Sequence, residues 1–323
     1  MRRAGSTPGL CSSENEMKKK IDILTIGDLC ADIVLSGRDV EPEFGQKEKL
    51  VEDYIMEMGG SGSIFVCQAA KLGLKSAIIG KVGDDDLGRM ILRALEAAGA
   101  SSRYVKIDRR EKTGATFMLN KGHDRAMMTY SGTIDAVALK DVPEQALKST
   151  RHFHLASFFL MKKIQPHYPY LLRKLKKFGA TVSMDTNWDP EEKWDGGIRE
   201  LLPLVDIFMP NSNEACGIAQ EKNIDRAMKK LQQLVPIIVL KKGEHGAEAY
   251  AGGRKFSAKA LKVKVLDTVG AGDNFDAGFL YGFLRGKSIG ESLRIGCLCG
   301  SLSVTRPGGT QGQPRLADLK KYL

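Results

Sequence analysis

The apolar positions of this chain fall into two kinds of pattern. Ile21 to Asp28, IDILTIGD, is a continuous apolar run ending at Gly27 and Asp28, which predicts a strand buried on both faces. The runs HFHLAS (152–157), TVSMD (181–185), DIFM (206–209) and IIVLKKG (237–243) repeat it. Helical stretches separate them, one of them opened by Pro166 and closed by Gly179. Earlier in the chain, Ser63 to Leu72 predicts a helix closed by Gly73, and Ser76 to Val82 a strand. Asp85 to Ala98 then predicts an amphipathic helix with acidic residues in its first turn and Gly99 at its end. Strands spaced by helices imply a parallel sheet covered on both faces, an α/β architecture.

Two segments break this pattern. Residues 33–58 are short, charged and alternating, with Pro42 and Gly45 as punctuation, and 113–132 contain TGATFMLNKGHDRAMMTY, with a hairpin tip at Lys121 and Gly122. Together they predict a small β lid outside the main sheet. In the last third, GAEAYAG and RKFSA predict a hairpin and VKVLDTVGAGD a strand running into a glycine turn. Helices follow over Asn274 to Leu284 and Ile289 to Ser303. The expected organisation is a single α/β domain over 21–323, with the lid inserted in two pieces.

Composition narrows the class further. The 323 residues are 42% hydrophobic and 27% charged, a globular balance, and no apolar run approaches the roughly 18 residues of a membrane helix. The net charge of +10 raises the question of a polyanionic partner. Much of the excess sits in the N-terminal arm (Arg2, Arg3, Lys18 to Lys20) and on the solvated face carrying Arg173, Lys174, Lys176 and Lys177. No aromatic-basic motif or zinc-finger spacing accompanies it, so neither nucleic acid nor membrane is an expected partner. Residues 1–20 lack the apolar core of a secretory signal and are expected to be a disordered arm. Six cysteines without a CxxC pair fit a reduced, cytoplasmic setting.

Chemistry concentrates in Asp267-Thr-Val-Gly-Ala-Gly-Asp-Asn-Phe-Asp-Ala-Gly-Phe. Gly270 and Gly272 permit a tight turn before a helix, so that amide N–H groups and the positive helix end converge into an anion hole. Asp273 in its mouth either caps the helix or takes a proton from a hydroxyl that attacks a phosphoryl group. Competing nucleotide motifs fail. A GxGxxG fingerprint needs glycine where Phe275 stands, and Gly282 to Ser288 is one residue short of a Walker A loop. A second glycine-rich turn, Gly59-Gly60-Ser61-Gly62-Ser63-Ile64, also feeds a helix. His152 and His154 alternate on one strand face without a third ligand, which favours core roles over a metal site. Glu57, Asp84 and Asp86 are expected to be surface or turn carboxylates.

The pairing of GGSGSIFVCQAAKLG and GKVGDDDLG with DTVGAGDNFDAGF resembles the two signatures of the ribokinase-like (PfkB) family of carbohydrate kinases, in order over about residues 21–310. The resemblance implies a Rossmann-like α/β domain with a β lid over a sugar site, and phosphorylation of a hydroxyl on a small sugar by ATP with Mg²⁺. A nucleoside kinase on the same fold is the alternative within enzymes, and a non-catalytic sugar sensor the alternative outside them. It further implies Asp273 as catalytic base and Gly270, Ala271 and Gly272 as anion hole. Asn211 and Glu214 of PNSNEA would act on magnesium and phosphates through water, and Lys242, Gly243 and Gly246 would lie on the nucleotide side. Asp32, Gly60, Ser63 and Ile64 would line the sugar pocket. Asp267, Val269, Ser303 and Gly308 would lie where some relatives hold a monovalent cation such as K⁺, and the lid would be a homodimer face. Ile64, preceded by Ser63, stands where many relatives carry an Asn, and Asp189 where they carry an Arg.

Overall fold

The apolar run at the start of the chain becomes the centre of the main sheet because both of its faces are covered. In the computed structural model, which describes residues 19–121 and 124–323, strand β1 (Ile21–Ile26) sends Leu24 and Ile26 to one core and Ile23 to the other. The expected N-terminal arm lies, apart from Lys19 and Lys20, outside the described residues, as does Gly122 of the hairpin tip.

The remaining strands are β2 (Cys30–Ser36), β3 (Asp53–Gly59), β4 (Ser76–Gly83), β5 (Ser101–Asp108), β6 (Gly114–Lys121), β7 (Asp124–Tyr130) and β8 (Thr150–Leu155). They continue with β9 (Thr181–Met184), β10 (Ile207–Phe208), β11 (Ile237–Lys241), β12 (Ala247–Ala251) and β13 (Arg254–Ala258). The main sheet has nine strands in the order β13-β12-β11-β10-β9-β8-β1-β4-β5, parallel from β11 to β5 and closed by the antiparallel hairpin β12–β13. The helices of eight residues or more among the described residues are α1 (Ser61–Lys71), α2 (Asp86–Ala98), α3 (Tyr168–Lys177), α4 (Ser212–Ala219), α5 (Ile224–Leu231), α6 (Ala271–Leu284) and α7 (Ile289–Ser303). Helices α3, α4 and α5 bury Leu171, Ile218 and Met228 on the Leu24 face. On the Ile23 face α1 and α6 bury Phe65, Phe275 and Phe279.

The two irregular segments pair as a separate four-stranded sheet, β3-β2-β6-β7. Its central pair, β2 and β6, is parallel, with Asp32 opposite Thr116, and the outer pairs are antiparallel. One face carries Asp32, Val34, Glu57 and Met118 towards the main body, and the other exposes Tyr54, Met56, Phe117 and Met128.

Several sequence expectations are corrected. Val263 to Leu266 pairs with no strand, and Val265 and Leu266 are exposed, so the run before the glycine turn is extended chain rather than sheet. Strand β5 was not expected. Its SSRYVKID alternates too weakly because it is an edge strand with one neighbour. Helix α1 begins at Ser61 rather than Ser63, because the carboxylate of Asp28 accepts from the Ser61 and Gly62 amides at 3.1 and 2.9 Å and caps the helix from another strand. Helix α6 begins at Ala271 rather than Asn274, because left-handed Gly270 (φ 69°) completes the turn at once.

Sheet and helix approach most closely where β1 ends. A Cβ on Gly62 would lie 2.6 Å from Gly27 Cα, a backbone atom with nowhere to move. Gly62→Ala is therefore expected to lower stability by about 1–3 kcal/mol in urea unfolding. Gly290→Ala, whose Cβ would meet only Phe256 at 4.0 Å, is expected to be neutral or stabilising. Equal midpoints for the two variants would contradict this packing.

Candidate active site

In an open parallel sheet, ligands gather beyond the carboxyl ends of the strands. Here that edge delivers Asp28 after β1, Asp185 after β9, Asn211 after β10 and Lys241 at the end of β11. The first turn of α6 faces the same edge. Gly270 offers no side-chain cap, and Ala271 N–H reaches Thr268 O at 3.3 Å, leaving the Gly272 and Asp273 amides at the positive helix end. Asn274 Nδ2 fixes the turn by donating to Gly270 O at 2.8 Å and Gly309 O at 3.0 Å. Gln313 Nε2 donates to Asn274 Oδ1 at 2.8 Å and to Ile64 O at 2.9 Å.

Asp273 is buried at the mouth of this turn, and its carboxylate accepts a long 3.5 Å contact from Asn187 Nδ2. Its acidity is weakened to a pKa of about 7. Burial does most of this and Asp185 adds to it, while Lys241 and the Asn187 amide oppose. Behind the turn, the Lys241 ammonium pairs with Asp185 and, at 3.4 Å, with Asp276. A Cβ on Gly272 would lie 3.4 Å from Lys241 Nζ, so the cation stands directly against the anion hole. Burial opposes its charge, but Asp185 and Asp276 outweigh burial and keep it protonated.

Asn211 and Glu214 close a capping box on α4. Asn211 N–H donates to Glu214 Oε2 at 2.7 Å and Asn211 Nδ2 to Oε1 at 2.6 Å, and Asn211 bridges to Lys241 in the sheet. Burial first, then Asp185, raises the Glu214 pKa. Asp185, Glu214, Asp273 and Asp276 thus surround a single lysine, an excess of negative charge that a divalent cation would balance. Among the described residues no three ligating side chains converge on one point, and Glu214 already serves Asn211. Contact with Mg²⁺ through its water shell therefore fits these residues better than direct ligation.

On the other side of Asp273, Asp28 holds the second glycine turn through the Ser61 and Gly62 amides and accepts from Ser157 Oγ at 2.6 Å. Gly60 is left-handed (φ 88°), and the Ser63 hydroxyl is occupied by the carbonyls of Gly59 and Gly60. Ile64 is buried with Val34, Met118 and Val269, and lies close against Gly270 and Gly309, which joins the second sheet to the underside of the anion hole. Asp32 is buried on the inner face of that sheet. Burial first, then Glu57, lifts its pKa to about 7.

Other sequence candidates occupy plainer positions. Asp267 accepts from the Val269 and Gly308 amides at 3.0 and 2.9 Å, so 266–269 and 303–309 run side by side, but the Ser303 hydroxyl donates within its own helix to Gly300 O. Lys242 turns away to Glu248 at 2.9 Å, and Gly243 and Gly246, both at positive φ, make the tight β11–β12 turn. Asp189 is buried and accepts from the Glu191 and Trp194 amides, holding its own loop. His152 and His154 are core residues bonded to Thr181 and Ser183, with His154 stacked on Phe65, and burial holds both near pKa 3. Glu57 is not a surface carboxylate but 9% exposed on the inner face of the second sheet. Sequence reasoning missed Asp28, Asp185, Glu57 and Lys241. For all but Glu57 the available signal was a charged residue at the carboxyl end of a buried strand.

Comparison with known proteins agrees with this geometry. The family model for pfkB family carbohydrate kinases matches residues 20–316. An uncharacterized sugar kinase of Archaeoglobus fulgidus is 32% identical over 250 residues, covering 77% of this chain and 99% of that protein. The 2-dehydro-3-deoxygluconokinase of Bacillus subtilis is 26% identical, covering 94% of this chain and 96% of its own. An E. coli protein assigned as a ribokinase II, solved with ATP and Mg²⁺, superposes with a TM-score of 0.83 at 25% identity, over 94% of this chain and 98% of its own. The chain therefore belongs to the pfkB family of carbohydrate kinases, enzymes that phosphorylate sugars with ATP.

Proposed function

We propose that this sugar kinase uses Asp273 as its general base and the 270–272 turn as the cradle of the transferring phosphoryl group. The acceptor hydroxyl gives its proton to Asp273 while its oxygen bonds to the γ-phosphorus. The bond to the bridging oxygen breaks as the new one forms, and ADP leaves with that electron pair. Phosphoryl transfer has a loose transition state, so the protein's contribution is to position and to neutralise charge. The observation that carries this reading is a buried carboxylate, weakened as an acid, inside the first turn of a helix whose amides have no side-chain cap. Mg²⁺ bound with ATP supplies positive charge to the phosphates, and Asn211 and Glu214 would order its water shell. The second sheet acts as the lid, carrying Asp32 and excluding water that would otherwise hydrolyse ATP.

Two further features complete the proposal. Asp267, Val269 and Gly308 support a K⁺ site that stiffens the anion-hole loop. The outer lid face exposes Tyr54 (68%), Met56 (52%), Phe117 (43%) and Met128 (60%) on adjoining strands, an apolar surface suited to a second copy of the chain. Five unpaired cysteines among the described residues support a reducing, cytoplasmic setting.

In a coupled ADP-release assay, Asp273→Asn is expected to lower turnover by about 10²–10⁴ with ATP affinity nearly unchanged. The base works only as the ionised carboxylate, so protonation below about pH 7 removes activity, and kcat/KM should rise with pH through that region. A variant that keeps most of its activity, or a flat profile, would remove Asp273 from the role. Asn211→Ala and Glu214→Ala should raise the Mg²⁺ requirement more than the sugar KM, and replacing K⁺ by a bulky organic cation should slow the wild type. Unchanged ion dependence would return both groups to structural roles. Sedimentation should give a dimer that Met128→Glu dissociates, and a wild-type monomer would exclude the lid as an interface.

A further inference from the structure

Glu57 lies directly across from Asp32 in the β2–β3 register, on the lid face that also bears Thr116, Thr129 and Arg125. Cross-strand partners stand about 4.5–5.5 Å apart at Cβ, so the two carboxyl groups present a pair of acceptors side by side. One oxygen of Glu57 accepts from Gly309 N–H at 3.1 Å, the Gln311 side chain also lies against the carboxylate, and the second oxygen, Oε2, is buried without a hydrogen bond of good geometry. Such an acceptor is costly unless something donates to it, and a sugar hydroxyl is a donor of the right kind. The docking has its own requirement. A Cβ on Gly308 would lie 1.2 Å from Glu57 Oε1, so glycine at 308 is what lets the carboxylate reach the loop. Gly309 O and Gly270 O share the Asn274 amide, so three hydrogen bonds in series join the Glu57 carboxylate to the 270–272 turn.

Charge also bears on the substrate. Asp28, Asp32, Glu57 and Asp273 line this side of the site. The charges that oppose them are Arg125, which acts on Asp32 and lies 3.9 Å from Asp267, and Lys241, which acts on Asp273 from behind the turn, so the carboxylates remain in excess. A sugar bearing a carboxylate or a phosphate would meet like charge.

We propose that Glu57 is a specificity residue: with Asp32 it accepts two neighbouring hydroxyls of the acceptor, selects an uncharged polyhydroxylated sugar over sugar acids and sugar phosphates, and ties the lid to the 308–309 loop. This rests on the reading that the pocket beneath the lid holds the acceptor beside Asp273.

The test is a kinase assay of wild type, Glu57→Gln, Glu57→Ala and Asp273→Asn on neutral sugars, their acid and phosphorylated counterparts, and single-deoxy analogues. Thermal unfolding checks that each variant folds. Wild type should prefer the neutral sugar. Glu57→Gln and Glu57→Ala should raise its KM by about 10- to 100-fold with little change in the KM for ATP. One deoxy analogue should be used equally by wild type and Glu57→Ala, because the hydroxyl that Glu57 accepts is already missing. A wild type that favours a charged sugar, or a Glu57→Gln variant with unchanged sugar KM, overturns the assignment of Glu57 and leaves Asp273 in place. A fully active Asp273→Asn overturns the underlying reading, and this proposal with it.

Discussion

One buried ammonium holds the catalytic end of this protein together. Lys241 closes β11, pairs with Asp185 after β9 and with Asp276 in α6, and stands against the Gly272 backbone. Taking such ions out of water costs several kcal/mol each, and only close pairing offsets it. The pairing therefore fixes how α6 is set against the sheet edge, and with it where the anion hole opens. The arrangement remains short of positive charge. Asp273, Asp276 and Glu214 all hold their protons more tightly than ordinary carboxyls, burial being the first cause in each case. A site with that imbalance is suited to receive a metal and a nucleotide together rather than an anion alone.

The lid is joined to this centre by backbone and packing rather than by a second charge cluster. Ile64 lies between Val34 and Met118 of the second sheet and the glycines 270 and 309, so its apolar bulk supports the 270–272 turn. Gln313 and Asn274 then connect the carbonyls of Ile64, Gly270 and Gly309 in one hydrogen-bonded network. In the proposed mechanism, closure of the second sheet over a sugar and order in the phosphate-binding turn are thereby linked through contiguous contacts.

Much of this was legible in the sequence because its causes are local. Buried parallel strands announce themselves as apolar runs, and DTVGAGD carries its own turn and helix start. The lid strands were visible through alternation, since one face of that sheet is covered. What escaped detection depends on partners distant in sequence. Asp28 looked like a strand end until its carboxylate met the amides of Ser61 and Gly62. Lys241 and Lys242 are adjacent and chemically alike, and strand alternation sends only the first into the site while the second goes to Glu248. Glu57 sits in a charged, alternating stretch and is buried only because Gly308 leaves room for it. Val263 to Leu266 erred the other way, apolar enough to suggest a strand but lying where no strand pairs with it.

The most direct test of the central claim is a crystal structure with ADP, aluminium fluoride, Mg²⁺ and the preferred sugar, a mimic of the phosphoryl group in transfer. The account predicts the fluoride cluster against the amides of the 270–272 turn and the acceptor oxygen within hydrogen-bond distance of the Asp273 carboxylate. An acceptor oxygen held by a different base, with Asp273 turned into the protein, would contradict it.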